Sequence, residues 1–172
     1  MLLAASGFGA LAGALLMTWP NYVRGGEVMV QEVFMSPPAL GLLLILIAIR
    51  VPMTFISYSA GVPGGIFAPM LALGTLIGFT FGHFTGELIP YNELNPGAFA
   101  VAAMGGLFAA TVRAPLTGIV LVAELTSSFE LLPAMIITCV TASITAQWLG
   151  SKPIYESLLA RTLENEGQRV EE

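Results

Sequence analysis

The sequence predicts an all-α, multi-pass membrane protein whose helices are short, tilted and broken. Of its 172 residues, 56% are hydrophobic and only 10% are charged, whereas soluble domains carry about 25% charged residues. Apolar runs near the length of about 20 residues that a spanning helix needs recur along the chain. Glycine and proline interrupt these runs at 61–65, 113–115 and 150–153, which predicts breaks at those places.

The predicted elements follow from this pattern in order. Residues 1–19 are a first candidate span, and they are interpreted as a membrane helix because a signal peptide would begin with basic residues. Residues 20–36 are polar enough for a connection or a short surface helix. Further candidate spans or shorter apolar helices are predicted at 39–59, 66–89, 97–112, 115–125 and 131–149, and an amphipathic helix at 153–163.

The stretch GVPGGIFAPM, residues 61–70, is the most informative break. Gly64 and Gly65 can adopt backbone angles closed to other residues, and the next apolar helix is predicted to start near Ile66. The first N–H groups of a helix lack partners within it and carry partial positive charge. Such an end binds an anion without a cationic side chain, weakly enough for the release that conduction requires. A simple turn between two helices explains the same residues.

A second candidate lies in KPIYESLL, residues 152–159. Pro153 predicts a helix start with Tyr155 in the first turn, where its hydroxyl can donate a hydrogen bond to an anion without adding charge. The alternative is a tyrosine in the aromatic belt at the membrane interface. Arg113 and Glu124, near the two ends of one apolar segment, are explained at least as well by capping, pairing or interfacial placement as by a function.

One face of the predicted helix at 66–89 carries a glycine at every fourth residue: Gly74, Gly78, Gly82 and Gly86. This spacing allows another backbone to approach closely, so tight helix packing is expected and no separate function. His83 and Glu87 lie four residues apart on the same helix, which predicts an interfacial pair.

Composition and motifs argue against several classes of function. The chain has no basic patch of the kind that binds nucleic acids, and the single Cys139 lies in an apolar run, as a packing residue would. Aspartate is absent and one histidine cannot build a multi-histidine metal site. Neither a GxSxG elbow nor a GxxxxGK[ST] phosphate loop occurs. We therefore expect neither an enzyme nor a protein that holds a metal or a cofactor.

Three segments resemble, in this order and spacing, the CLC family of chloride channels and chloride/proton antiporters: GVPGGIFAPMLALGTLIG, MGGLFAATVRAPLTGIVLVAELTSSFELLPAMIIT and KPIYESLLART. The resemblance is clear over residues 50–163 and weaker toward the N-terminus. It implies a membrane homodimer in which each subunit has its own anion pathway, made from two halves of opposite orientation. This chain is similar to most of the second half of that inverted repeat.

The resemblance also implies roles for particular residues. The backbone amides of Ile66 and Phe67 would line the central anion site, and Gly64 and Gly65 would shape the approach to it. The hydroxyl of Tyr155 would reach the same chloride ion. Chloride is thus expected as the bound substrate.

The same resemblance implies an organisation and partners. Residues 1–163 would be the C-terminal half of a transmembrane domain, residues 164–172 a polar cytoplasmic tail, and residues 115–149 part of the homodimer interface. The family's GSGIP and GREGP segments are not in this sequence, so the N-terminal half of the same transporter is an expected partner. The chain alone is then not expected to transport chloride.

Orientation in the membrane follows from the basic residues after the last predicted span, which are Lys152, Arg161 and Arg169. Because lysine and arginine favour the inner side, we expect a cytoplasmic C-terminus in the inner or plasma membrane. Channel and antiporter remain open alternatives, and a membrane scaffold or assembly fragment without transport activity is the alternative function.

Overall fold

The computed structural model describes residues 13, 17, 26–59, 67–89 and 95–170, and these ranges contain α-helices and no strand. The helices are α1 (Gly26–Met35), α2 (Leu40–Ser59), α3 (Phe67–Leu88), α4 (Pro96–Val112), α5 (Pro115–Thr126), α6 (Leu132–Trp148) and α7 (Ile154–Val170). A 3-10 turn, Phe129–Leu131, leads into α6. The predicted all-α fold is confirmed.

Two compact units divide the chain, Met1–Met104 and Gly105–Glu172, and the boundary falls within α4. In the first unit, α1, α2, α3 and the start of α4 share one apolar core, because each helix turns buried side chains toward it. Phe34 and Phe79 meet edge to face with ring centroids 5.2 Å apart, an arrangement that aromatic pairs favour. The buried core residues are Met29, Val33, Leu43, Leu46, Ala72, Leu76, Phe79 and Ala100.

The glycine face of α3 lies against the backbone of α4. A Cβ atom added to Gly74, Gly78 or Gly82 would come within 2.7 Å of an α4 backbone atom, in the closest case at Ala100. Only glycine permits so close an approach, so the predicted tight packing is confirmed at these three positions. At Gly86 an added Cβ would meet no atom of the described residues within 4 Å, so these residues do not make the predicted contact there.

In the second unit, the end of α4 packs with α5 and α6. A Cβ on Gly105 would lie 2.9 Å from the Cys139 sulfur, and the Cys139 thiol is free and buried. The expectation that Cys139 is a packing residue is therefore confirmed. Pro115 occupies the first turn of α5. An N–H at this position would have no partner within the helix, so proline costs no hydrogen bond there.

Two of the three predicted breaks lie within the described residues, and both are confirmed. Arg113 separates α4 from α5 with a φ of 65°, and Gly150 follows α6 with a φ of 69°. The break at 61–65 lies outside the described residues. At the start of α4, the Asn95 side chain accepts a 2.9 Å hydrogen bond from the Gly97 N–H, and the helix begins one residue before the predicted range of 97–112.

Two expectations about element boundaries need correction. The segment 20–36 was expected to be a connection or a surface helix, but α1 turns Met29 and Val33 fully into the core, because they lie four residues apart on one face. The last helix was expected to end at Leu163 with a frayed end after it, but α7 continues to Val170. The added turns are rich in glutamate, glutamine and arginine, which are good helix formers.

Two of the described helices are long and apolar enough to cross a membrane: Phe67–Leu88, and Phe129–Trp148 when the 3-10 turn is counted with α6. They correspond to the spans predicted at 66–89 and 131–149. The apolar stretches Leu40–Phe55, Pro96–Val112 and Pro115–Thr126 are shorter. The predicted span at 1–19 falls almost wholly outside the residues that the structure describes.

Candidate anion site

The start of α3 is the first part of the candidate site. Phe67 is the first residue of this helix, and 41% of its side chain is exposed. Gly64, Gly65 and Ile66 lie outside the described residues. The structure therefore places one end of the predicted anion-binding segment, namely the first turn of an apolar helix.

A contact with α1 positions this helix start. A Cβ on Gly26 would collide with the backbone of Ala68, the second residue of α3, and Gly26 itself is buried. Because the two helix starts touch through backbone atoms, a side chain at position 26 would displace the first turn of α3. Our reading of the sequence missed this contact, although the Gly25–Gly26 pair in a polar segment was a signal for a close backbone approach.

The first turn of α3 carries no acidic side chain. A carboxylate there would take the N–H groups and the partial positive charge that an anion would otherwise use. Pro69, the third residue of the helix, has no N–H, so the donors of the first turn are concentrated at the residues before it. Chemically, this arrangement suits weak binding of a small anion by dipoles.

Tyr155 is the second residue of α7, and 48% of its side chain is exposed. The N–H of Ser157 donates to the carbonyl of Pro153 at 3.2 Å and closes the first turn. The predicted helix start at Pro153, with Tyr155 in the first turn, is confirmed. Phe67 belongs to the first unit and Tyr155 to the second.

Arg113, which the sequence left open between capping and a function, makes two hydrogen bonds to backbone carbonyls. Its Nη1 donates to the carbonyl of Ser143 at 2.6 Å and its Nη2 to the carbonyl of Ser151 at 2.7 Å. Its Nε is buried and finds no acceptor within the described part of the chain. Arg113 thus binds backbone carbonyls within and after α6, and these partners were not predictable from the sequence.

The remaining ionisable candidates are dispersed. Glu124 is exposed on α5 and lies in a shallow groove together with Leu116, Thr117, Val120, Leu121 and Leu125. His83 has a buried Nε2 without a hydrogen-bond partner among the described residues, so the predicted pair with Glu87 is not made through this nitrogen. Within the same residues, no group of three histidine, cysteine or acidic side chains is placed to hold a metal ion.

Comparison with known proteins gives a family and close relatives. A family model described as voltage gated chloride channel matches residues 1–147. A relative from Vibrio parahaemolyticus, named H(+)/Cl(-) exchange transporter ClcA, is 46% identical over 171 residues, which are 99% of this chain and 37% of the relative. The protein of the same name from Salmonella arizonae is 48% identical over 161 residues, which are 94% of this chain and 34% of the relative.

A solved structure is also similar. It is an X-ray crystal structure of a slow cyanobacterial Cl-/H+ antiporter, with a TM-score of 0.75 and 39% sequence identity. The match covers 80% of this chain and 32% of that protein. The chain therefore spans about a third of the length of the relatives that it matches.

Proposed function

This chain belongs to the voltage-gated chloride channel (CLC) family of membrane proteins, and from that premise we propose that it forms part of the chloride pathway of a chloride/proton antiporter. One observation carries the proposal: 99% of the chain aligns at 46% identity with a relative that is named an H(+)/Cl(-) exchange transporter. The antiporter is favoured over the channel because the similar solved structure is also described as an antiporter.

In this proposal, chloride is bound by neutral groups. The amides of Ile66 and Phe67 at the start of α3 donate to the ion, Gly64 and Gly65 let the backbone approach it, and the Tyr155 hydroxyl adds one more donor. A full positive charge would hold chloride too strongly for rapid release, whereas helix dipoles and hydroxyl groups hold it weakly. The acid-free first turn of α3 supports this assignment.

Transport measurements test the proposal directly. The protein, purified as its host makes it and reconstituted in liposomes, is given a chloride gradient while internal pH is followed. In an antiporter, chloride that moves down its gradient drives protons in the opposite direction, so the internal pH changes. Chloride flux without proton movement would indicate a channel, and the absence of any chloride flux from protein that is folded in the liposomes would favour the scaffold alternative.

We further propose a homodimer that uses residues 115–149. Exposed apolar side chains on α5 and α6 support it, because an apolar surface of this kind is covered by lipid or by a second copy: Leu116, Val120, Ile136, Ile137, Val140 and Ile144. The N-terminal half of the same transporter is the other proposed partner. The mass of the purified protein in lipid nanodiscs tests the dimer, and a monomeric mass would contradict it.

The location and chemistry of the protein follow from the same proposal. Lys152, Arg161 and Arg169 favour a cytoplasmic C-terminus, with the protein in the inner or plasma membrane. Chloride is the substrate, and transport needs neither a cofactor nor an enzymatic step. Protease accessibility of the C-terminus in sealed, right-side-out membrane vesicles tests the orientation, because a cytoplasmic end is protected there.

A further inference from the structure

The backbone of Arg113 adopts a conformation that normally belongs to glycine. Its φ is 65°, while its N–H closes the last turn of α4 on the carbonyl of Ala109 at 3.0 Å. Glycine is the usual residue at such a helix end, and the corresponding position after α6 is indeed Gly150, with a φ of 69°. A residue that bears this strain in place of glycine contributes through its side chain.

The side chain of Arg113 joins two segments. Its guanidinium bridges the carbonyl of Ser143, within α6, and the carbonyl of Ser151, after the end of α6. A planar guanidinium can hold two acceptors in fixed positions, which a lysine ammonium cannot do. The positive charge also lies toward the C-terminal end of α6, where the helix dipole favours a cation.

Ser151 is held on its other side as well. Its N–H donates to the carbonyl of Ala146 at 3.2 Å, and the N–H of Gly150 donates to the carbonyl of Gln147 at 3.0 Å. This pair of bonds is a Schellman turn, which closes the end of α6. The N–H of Ser151 is therefore anchored to α6, and its carbonyl is anchored to Arg113.

Only Lys152 separates Ser151 from Pro153, the residue that directly precedes α7. The carbonyl of Pro153 accepts the N–H of Ser157 in the first turn of α7, and the proline ring fixes φ at this point. Lys152 precedes a proline, so its backbone is restricted to extended conformations. A shift of the Ser151 carbonyl would therefore be passed on to the start of α7, where Tyr155 lies in the first turn.

We propose that Arg113 is a positioning residue, which fixes the start of α7 through Ser151 and so holds the Tyr155 hydroxyl in place for chloride. The inference rests on the proposed function, in which Tyr155 binds the ion. Arg113 itself does not touch chloride in this proposal.

The test uses Arg113→Gly, which removes the guanidinium and also relieves the backbone strain, so the fold is retained. Chloride affinity, measured by calorimetry on the purified protein, is expected to fall two- to tenfold, the loss expected for Tyr155→Phe if one neutral hydrogen bond is lost. In the Tyr155→Phe background, Arg113→Gly is expected to cause no further loss, because both changes remove the same contact. Independent, additive losses would overturn the proposal.

Two controls separate positioning from charge. Lys152→Met removes a positive charge closer to Tyr155 in the chain, and chloride affinity is expected to stay within twofold. Arg113→Lys keeps the charge but cannot bridge both carbonyls, so it is expected to resemble Arg113→Gly. Full affinity in Arg113→Lys, or an equal loss in Lys152→Met, would overturn the proposal in favour of a simple charge effect.

Hydrogen exchange gives a readout that does not depend on chloride. Amides at 150–157 are expected to exchange at least tenfold faster in Arg113→Gly and at the wild-type rate in Tyr155→Phe. Unchanged exchange in Arg113→Gly would overturn the positioning role of Arg113. Unchanged chloride affinity in Tyr155→Phe would instead overturn the anion role of Tyr155, so the two failures are distinguishable.

Discussion

In the first unit, the helix that begins the candidate site is held by backbone contacts, with Gly26 against Ala68 and Gly78 against Ala100. In the second unit, the helix that carries Tyr155 follows a turn held by the hydrogen bonds of Arg113. The difference follows from what each unit is proposed to offer an anion. Backbone amides are placed accurately when neighbouring backbones lie close, whereas a side-chain hydroxyl depends on an anchored turn.

The two described helices that are long and apolar enough to cross a membrane also differ, in how much of their apolar surface is buried. Half of the residues in the most apolar stretch of Phe67–Leu88 are buried within the structure. In the most apolar stretch of Phe129–Trp148, only 11% are buried. The first helix is therefore half-covered by its own unit. The second helix leaves most of its apolar surface for lipid or for a second copy of the chain.

The largest effect is expected from a substitution that disrupts the backbone packing of the first unit. In Gly78→Ala, the new Cβ meets the α4 backbone, which cannot rotate away, so the free energy of unfolding should fall by about 3 kcal/mol. Thermal unfolding in detergent measures this loss. Gly86→Ala is the matched control on the same face, where nothing lies within 4 Å, and it should raise stability by about 0.8 kcal/mol. Equal effects of the two changes would contradict the packing argument.

A second substitution asks whether the backbone of the first unit binds the ion. Phe67→Pro removes the amide N–H of residue 67 at a helix position that tolerates proline, and chloride affinity should fall by roughly tenfold, because the lost hydrogen bond of about 0.5–1.5 kcal/mol also belongs to the positive end of the helix dipole. Phe67→Leu keeps the amide and serves as the control, with affinity near that of the wild type. Calorimetric titration with chloride distinguishes them, and equal affinities would remove residue 67 from the site.

A third change tests the contact that positions the start of α3. Gly26→Ala places a methyl group against the Ala68 carbonyl, and we expect a loss of about 2 kcal/mol in stability together with weaker chloride binding. Gly41→Ala adds the same methyl group on α2 at an open position and should leave chloride binding unchanged. A Gly26→Ala protein with wild-type stability and affinity would show that α1 does not position the site.

The smallest expected effect concerns the second unit. Tyr155→Phe removes one neutral donor, so chloride affinity should fall by about 1 kcal/mol while the fold is unchanged. Ser157→Ala removes a hydroxyl from the same helical turn, where it donates to the Pro153 carbonyl, and should not change chloride affinity. If both variants bind chloride like the wild type, the second unit contributes no hydroxyl to the ion.

Local patterns determined most of the helices in advance. The breaks at Arg113 and Gly150, and the close approach at Gly74, Gly78 and Gly82, all follow from residue types whose backbone preferences act within a few positions. Family motifs added the predicted site residues, of which Phe67 and Tyr155 lie at the helix starts where they were expected. Gly86 shows the limit of the pattern, because its spacing matches but no described residue lies within 4 Å of an added Cβ.

The sequence by itself determined an all-α membrane protein of the CLC family, with the positions of most of its helices and of the breaks at Arg113 and Gly150, because composition, motifs and short-range spacing carry that information. Only the tertiary structure decided that Gly26 lies against Ala68 and that Arg113 reaches Ser143 and Ser151. These partners are 30 to 42 residues apart in the chain. Contacts at such separations depend on how whole helices pack, which no local pattern encodes.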